Sequence, residues 1–134
     1  MSDTNNNSPR LFASYLLIRN DSGEVLVSSS DLMMPGGSSS DGENALQTVI
    51  RCGKEQLGLT LTEANTSVVF AKIVDDYKII PVYEVHLGSD ELAKLMQNAP
   101  AGYSWQPSVA VCGGGSFADF HASMFESITK RAAA

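Results

Sequence analysis

Cysteine is scarce in this sequence: Cys52 and Cys112 are the only two, too few for a disulfide framework or a zinc quartet. Two free thiols fit a reducing cytoplasm. Cations are few as well, with 9 Lys+Arg against 15 Asp+Glu and a net charge of −6. That balance lacks the positive footprint a phosphate backbone needs, which argues against a non-specific nucleic-acid binder. No apolar run approaches the roughly 20 residues that span a bilayer, so no membrane association is expected. The first nine residues, Met1 to Pro9, have neither a basic stretch nor an apolar one. They read as a disordered polar tail and not as a secretory signal. What remains, residues 10 to 131, has the length of one domain, and 43% hydrophobic residues supply a core.

The pattern along that domain mixes strands and helices. Leu11–Arg19 is a buried apolar run, Asn20-Asp21-Ser22-Gly23 is turn chemistry, and Glu24–Val27 resumes an extended pattern, predicting a β-hairpin. Ser67–Val74 and Lys78–Leu87, joined by Asp75-Asp76-Tyr77, predict a second hairpin. Pro81 marks its strand as an edge or a bulged one, and that edge is a place for a second copy of the chain to dock. Asp90–Gln97 reads as a short helix with Leu92, Leu95 and Met96 inward, and Asn98–Ser108 as irregular chain anchored by Trp105. Ser116 is placed as the N-cap of a last helix carrying Phe117, Phe120, Met124 and Ile128. Gly113-Gly114-Gly115 ahead of it has the composition of an anion nest but lacks the ending of a P-loop, so a flexible connection is the expected role. His86 and His121 are assigned to packing or solvent contact.

The most informative stretch follows Met34-Pro35-Gly36-Gly37. Ser40 and Glu43 have capping-box spacing, predicting a helix start. Ala45, Leu46, Val49, Ile50 and Leu57 fall on one helical face, and Gly58 stands where a left-handed cap would end it. Gly53 inside the helix suggests a close backbone approach. Glu43, Gln47, Arg51 and Glu55 form a polar stripe at four-residue intervals. Cys52, Glu55 and Gln56, at i, i+3 and i+4, are expected to share one partly solvent-facing surface.

The run Gly37 to Leu59 resembles the Nudix box, a signature of Gly, five residues, Glu, seven residues, Arg-Glu, an aliphatic, one residue, Glu-Glu, one residue, Gly and an aliphatic. Gly37, Glu43, Arg51, Glu55, Gly58 and Leu59 match in register, while Cys52, Gly53 and Gln56 depart from it. The resemblance implies an α/β (α+β) fold: an α/β/α sandwich with a mixed β-sheet. It also implies Mg²⁺ or Mn²⁺ held by helix carboxylates and by the carbonyl of Gly36. Glu55 is then the catalytic residue and metal ligand, with Gly37, Glu43, Arg51 and Gly58 as structural box residues and an ion pair between Glu43 and Arg51.

Cys52 and Gln56 stand where the signature has two further acids. A thiol is a soft ligand, poorly suited to a hard cation, and an amide brings a carbonyl without charge. Metal binding is therefore expected to be weak or absent. The alternatives are a Nudix-type hydrolase, cleaving a nucleoside diphosphate linked to another moiety with weak or altered metal dependence, and an inactive derivative. The latter would be a module binding a small nucleotide-type ligand or another protein.

Overall fold

The computed structural model describes residues 10 to 133; the tail expected over Met1 to Pro9 lies outside the described residues. The sheet is built from β1 (Arg10–Leu11), β2 (Ala13–Leu17), β4 (Gly36–Ser38), β5 (Thr66–Val74) and β6 (Lys78–Val85). In it, β6 lies antiparallel to β5 and parallel to β1 and β2, and β2 is antiparallel to β4. This is a mixed sheet with β5 and β4 as its outer strands. A second, two-stranded sheet pairs β3 (Glu24–Ser28) with β7 (Tyr103–Pro107).

Helices cover both faces. The helix α1 (Ala45–Cys52) sits over Leu16, Ile18 and Leu26, sharing a core with Leu57, Leu59, Leu61, Val85 and Leu95. On the opposite face α4 (Ala118–Ala133) sets Phe120 and Met124 against Tyr15, Leu17, Ile80 and Val82. Every residue of β2 is buried, because the alternation of its side chains feeds both cores at once. The architecture is the α/β/α sandwich with a mixed sheet that the resemblance implied.

Several local expectations are corrected. The chain does turn at Asn20, whose carboxamide oxygen accepts from the N–H groups of Ser22 and Glu24. The two strands it joins then diverge: beyond one Arg19–Val25 bridge, β3 leaves for β7. The Asn98–Ser108 segment therefore contains a strand, which its polar, Pro-flanked composition did not signal. Trp105 is an anchor there all the same, its Nε1 donating to the Leu95 carbonyl at 3.3 Å.

Pro81 lies in an interior strand, not an edge. The Ile79 carbonyl accepts from Phe12, so strand alternation turns residue 81 toward the same side, at the break between β1 and β2 where an N–H is dispensable. The bulge of this hairpin falls instead on β5, between Val68 and Phe70. The hairpin itself is as expected, with Asp75 and Asp76 both at positive φ in its turn.

In α2 (Ser89–Gln97) Leu95 is buried, but Met96 is exposed. The last helix starts at Ala118, and Ser116 lies outside it, its N–H donating to Asp31. A short α3 (Ser108–Gly113) precedes it. That bond closes the chain just after Gly113–Gly115, and Gly115 itself passes against the Asp31 backbone. The loop is a packed connection.

His121, on α4, is fully buried against α3, with Nδ1 3.0 Å from the Val111 carbonyl and Nε2 without a partner. Burial lowers its pKa from 6.5, opposed by the bond to Val111. A base whose folded-state pKa is depressed contributes stability that is fully present above the unfolded value. That stability is lost as the pH falls from 6.5 through the lower folded-state value. Urea midpoints are expected to fall between pH 7 and pH 5, and to fall less in His121→Gln; equal slopes for both proteins would refute this.

Candidate functional site

The site is built on the outer edge of β4. Leu16 N–H bonds the Pro35 carbonyl across to β2, so the pleat turns the N–H and C=O of Gly36 away from the sheet. An unpaired strand edge must find partners or water. Here the box supplies them. The Gln56 side chain closes a two-point bond with Gly36: its Oε1 accepts from the Gly36 N–H at 3.0 Å, and its Nε2 donates to the Gly36 carbonyl at 2.8 Å. This pairing fixes which end of the amide is which. Tyr103 of β7 adds a third bond, its hydroxyl donating to Gln56 Oε1 at 3.1 Å. Burial pushes the Tyr103 phenol up, so it keeps its proton at neutral pH.

Two residues further along β4, Ser38 is held by Arg51. Arg51 Nη2 donates to the Ser38 carbonyl at 3.0 Å, while Nε and Nη2 fork onto the two oxygens of Glu43 at 2.8 and 3.1 Å. Nη1 reaches Glu55 at 3.2 Å. The Glu43–Arg51 pair is thus the bidentate ion pair expected of the box. Glu43 also accepts from the Ser40 N–H and from Thr48 Oγ1.

The expected capping box at Ser40 and Glu43 is therefore a turn, and α1 starts later. Its capping box is Asn44 and Gln47, each side chain bonding the other's backbone N–H. Gly36 accepts this crowding because it has no side chain: at φ 141° a Cβ would stand 2.7 Å from Tyr15 Cα and closer still to the Ser14 carbonyl.

The helix does not continue as α through the cluster. After Cys52 it widens into a π-helical turn, Gly53–Leu57, ended by Gly58 in the left-handed region. In that wider turn the inward face steps from Cys52 to Leu57, five residues on, and not to Glu55 and Gln56. Cys52 is only 2% exposed, which corrects the expectation of a shared, partly solvent-facing surface. Burial raises its thiol pKa, with Arg51 opposing and Glu55 and Glu43 adding to the rise. It is a neutral packing group. The Glu55 side chain is 60% exposed and turned to Arg51. Gly53 allows the approach anticipated for it, since a Cβ there would lie 2.6 Å from Leu61 Cδ1.

These residues do not fit a divalent ion. Of the four expected ligands, Cys52 is buried and protonated, and the Gly36 carbonyl already accepts from the Gln56 amide, the end of Gln56 that faces it being a donor. Glu55 alone offers a carboxylate. Among the described residues no group of three or more His, Cys, Asp or Glu side chains could hold a metal.

Nor do the histidines join the site: His86 Nε2 is hydrogen-bonded to Ser67 Oγ at 2.8 Å, and His121 lies in the opposite core. The residue that sequence reasoning missed is Tyr103. A lone tyrosine in a segment read as irregular gives no sign of its reach to Gln56. At the C-terminal end of the box a cavity of 440 Å³ opens between Leu57, Gly58 and Leu59 and the α2 residues Glu91, Lys94 and Leu95, with Asn98 and Pro100 closing it.

Comparison with known proteins places the fold. No family model matches the chain, and no curated protein matches it. Solved structures do. The chain is similar to a mutT/nudix family protein from Listeria innocua at 16% identity and a TM-score of 0.64, over 92% of this chain and 97% of that one. It is also similar to the MutT protein of Methanosarcina mazei Go1, at 20% identity and a TM-score of 0.57, over 89% and 95%. A mutator MutT protein from Bacillus halodurans aligns at 18% identity and a TM-score of 0.56, over 84% and 78%.

The Arg51 fork holds Glu43 well below the usual carboxylate range, at about 2 against 4.5. A lowered folded-state value contributes stability present above 4.5 and lost as the pH falls through about 2. Glu43→Gln is expected to lower the unfolding temperature at pH 7 by several degrees. It should also remove part of the acid-induced loss between pH 4.5 and pH 2; an acid limb identical to that of the wild type would contradict this assignment.

Proposed function

We propose that this chain, which has the Nudix fold, is a binding module that does not hydrolyse its ligand through a bound metal. The observation that carries this reading is the fate of the carboxylate cluster: Glu55 stands alone, exposed and paired to Arg51, while Cys52 is buried as a neutral thiol. Without a cation, a diphosphate would meet the Glu55 carboxylate and an Arg51 whose donors are already spent on Glu43, Ser38 and Glu55. The ligand assigned is accordingly a small nucleotide-type molecule recognised through its nucleoside part.

The 440 Å³ cavity beside Leu57 and Leu95 is of a size to take such a group, and its leucine floor with a rim of Glu91, Lys94 and Asn98 suits a flat, partly polar ring. The net charge of −6 supports the same choice over a nucleic-acid backbone, and among the described residues no helix is long and apolar enough to cross a membrane. A cytoplasmic setting, with both cysteines free, belongs to this reading. So does a homodimer, whose edge would be β5 and not the Pro81 strand: Val68 and Ile73 of β5 are exposed.

A second reading, metal-dependent hydrolysis of a nucleoside diphosphate linked to another moiety, is favoured by the intact Glu43–Arg51 fork and the accessible Glu55. One experiment separates the two. A panel of nucleosides, nucleoside diphosphates and their conjugates is assayed for turnover with Mg²⁺ or Mn²⁺, and for binding by calorimetry with and without the metal. The binding module predicts no turnover, and an affinity for the neutral nucleoside that the metal leaves within about twofold, some 0.4 kcal/mol. Metal-dependent turnover abolished by Glu55→Gln would establish the hydrolase instead.

A further inference from the structure

We propose that the Gln56 carboxamide is an internal substitute for a cation, holding the box loop, the box helix and β7 together without any divalent ion. The proposal deepens the reading above and shares its premise that no ion organises the box. The Gly36 carbonyl points out of the sheet with no strand beside it, and such an oxygen must meet positive charge or a hydrogen-bond donor. A bound dication would satisfy it from one side while carboxylates from the helix satisfied the ion. Gln56 removes the need for both. Its Nε2 meets the carbonyl directly, and its Oε1 takes the neighbouring Gly36 N–H, so a side chain reproduces the bonding of a missing strand.

The arrangement is also self-consistent in charge. A carboxylate at position 56 could accept from the Gly36 N–H and from Tyr103, but its other oxygen would confront the Gly36 carbonyl at the distance where Nε2 now donates. Only a cation between the two oxygens could reconcile them. Glutamine is neutral, keeps one acceptor and supplies the donor, which fits a cluster of Cys52, Glu55 and Gln56 whose single carboxylate is Glu55. Tyr103 makes the substitution tertiary, because its hydroxyl donates to the same Oε1 that receives Gly36. The clasp therefore joins β4, the π-helical turn and β7, three segments far apart in sequence.

The test is thermal unfolding of the full chain, without nucleotide, in EDTA and in millimolar MnCl₂. The wild type is expected to unfold at the same temperature in both. Gln56→Glu should unfold at least about 5 °C lower in EDTA, and manganese should recover part of that loss. Gln56→Met, similar in size but unable to donate or to bind a hard ion, should lose stability without recovery. The proposal is overturned if manganese stabilises the wild type, if Gln56→Glu matches the wild type in EDTA, or if manganese fails to rescue it.

Should the variants not fold, the wild type alone decides the matter. Mn²⁺ added to the ¹⁵N-labelled chain is expected to leave the amide signals of Gly36 and Gly37 unbroadened, and selective broadening centred there would refute the clasp. Turnover by the wild type with metal would count against the binding-module reading through a separate assay, so the two failures are distinguishable.

Discussion

The structure turns on a backbone problem at the edge of β4. Its outward N–H and C=O groups, at Gly36 and Ser38, lie where the sheet has run out of strands, and a strand edge left bare invites water or another chain. Two side chains from one helical segment close it, Gln56 on Gly36 and Arg51 on Ser38. Each is tied in turn to something else: Arg51 to Glu43 and Glu55, Gln56 to Tyr103. The sheet edge, the loop before α1, the π-helical turn and the second sheet are held by this short list of polar contacts laid over an apolar core.

That core explains why the polar contacts fall where they do. The buried strand β2 faces α1 on one side and α4 on the other, and α1 must lie low enough for Val49 and Leu57 to reach Leu16 and Ile18. Gly53 permits the descent by leaving room for Leu61. The widened turn that Gly53 opens then carries the inward face from Cys52 on to Leu57 and leaves Glu55 outward, with Gln56 at the β4 edge. A packing requirement thus decides the chemistry of the cluster. The sulfur becomes filler, the one acid becomes a surface ion pair, and the amide becomes a clasp.

Fold and activity are separate questions here. The likeness to MutT and nudix structures, at identities of 16 to 20%, concerns the arrangement of the backbone. Whether chemistry accompanies it depends on a handful of side chains at one turn. Glu43 and Arg51 are bonded to each other and Gly58 ends the box helix in the left-handed region, and these arrangements need no ion because they are made within the protein itself.

The sequence by itself determined the mixture of strands and helices, the second hairpin and the four-residue spacing that sets Glu43 and Arg51 on one stripe, because each is encoded locally by strand alternation, turn residues and helical period; the sandwich was implied by the resemblance of Gly37 to Leu59 to the Nudix box. It also determined that the cluster Cys52, Glu55 and Gln56 holds one acid. It did not determine where β3 goes, since a strand's partner is chosen by long-range packing and β3 leaves its hairpin neighbour for a strand far along the chain. The burial of Cys52 and the outward turn of Glu55 were equally closed to it. A uniform 3.6-residue period places both on one surface, and only the fit of Gly53 against Leu61 reveals the wider turn. The Gln56–Gly36–Tyr103 contact was decided by the tertiary structure alone: an amide has no sequence signature for the backbone it will meet, and that meeting exists only once β4, the box and β7 are packed together.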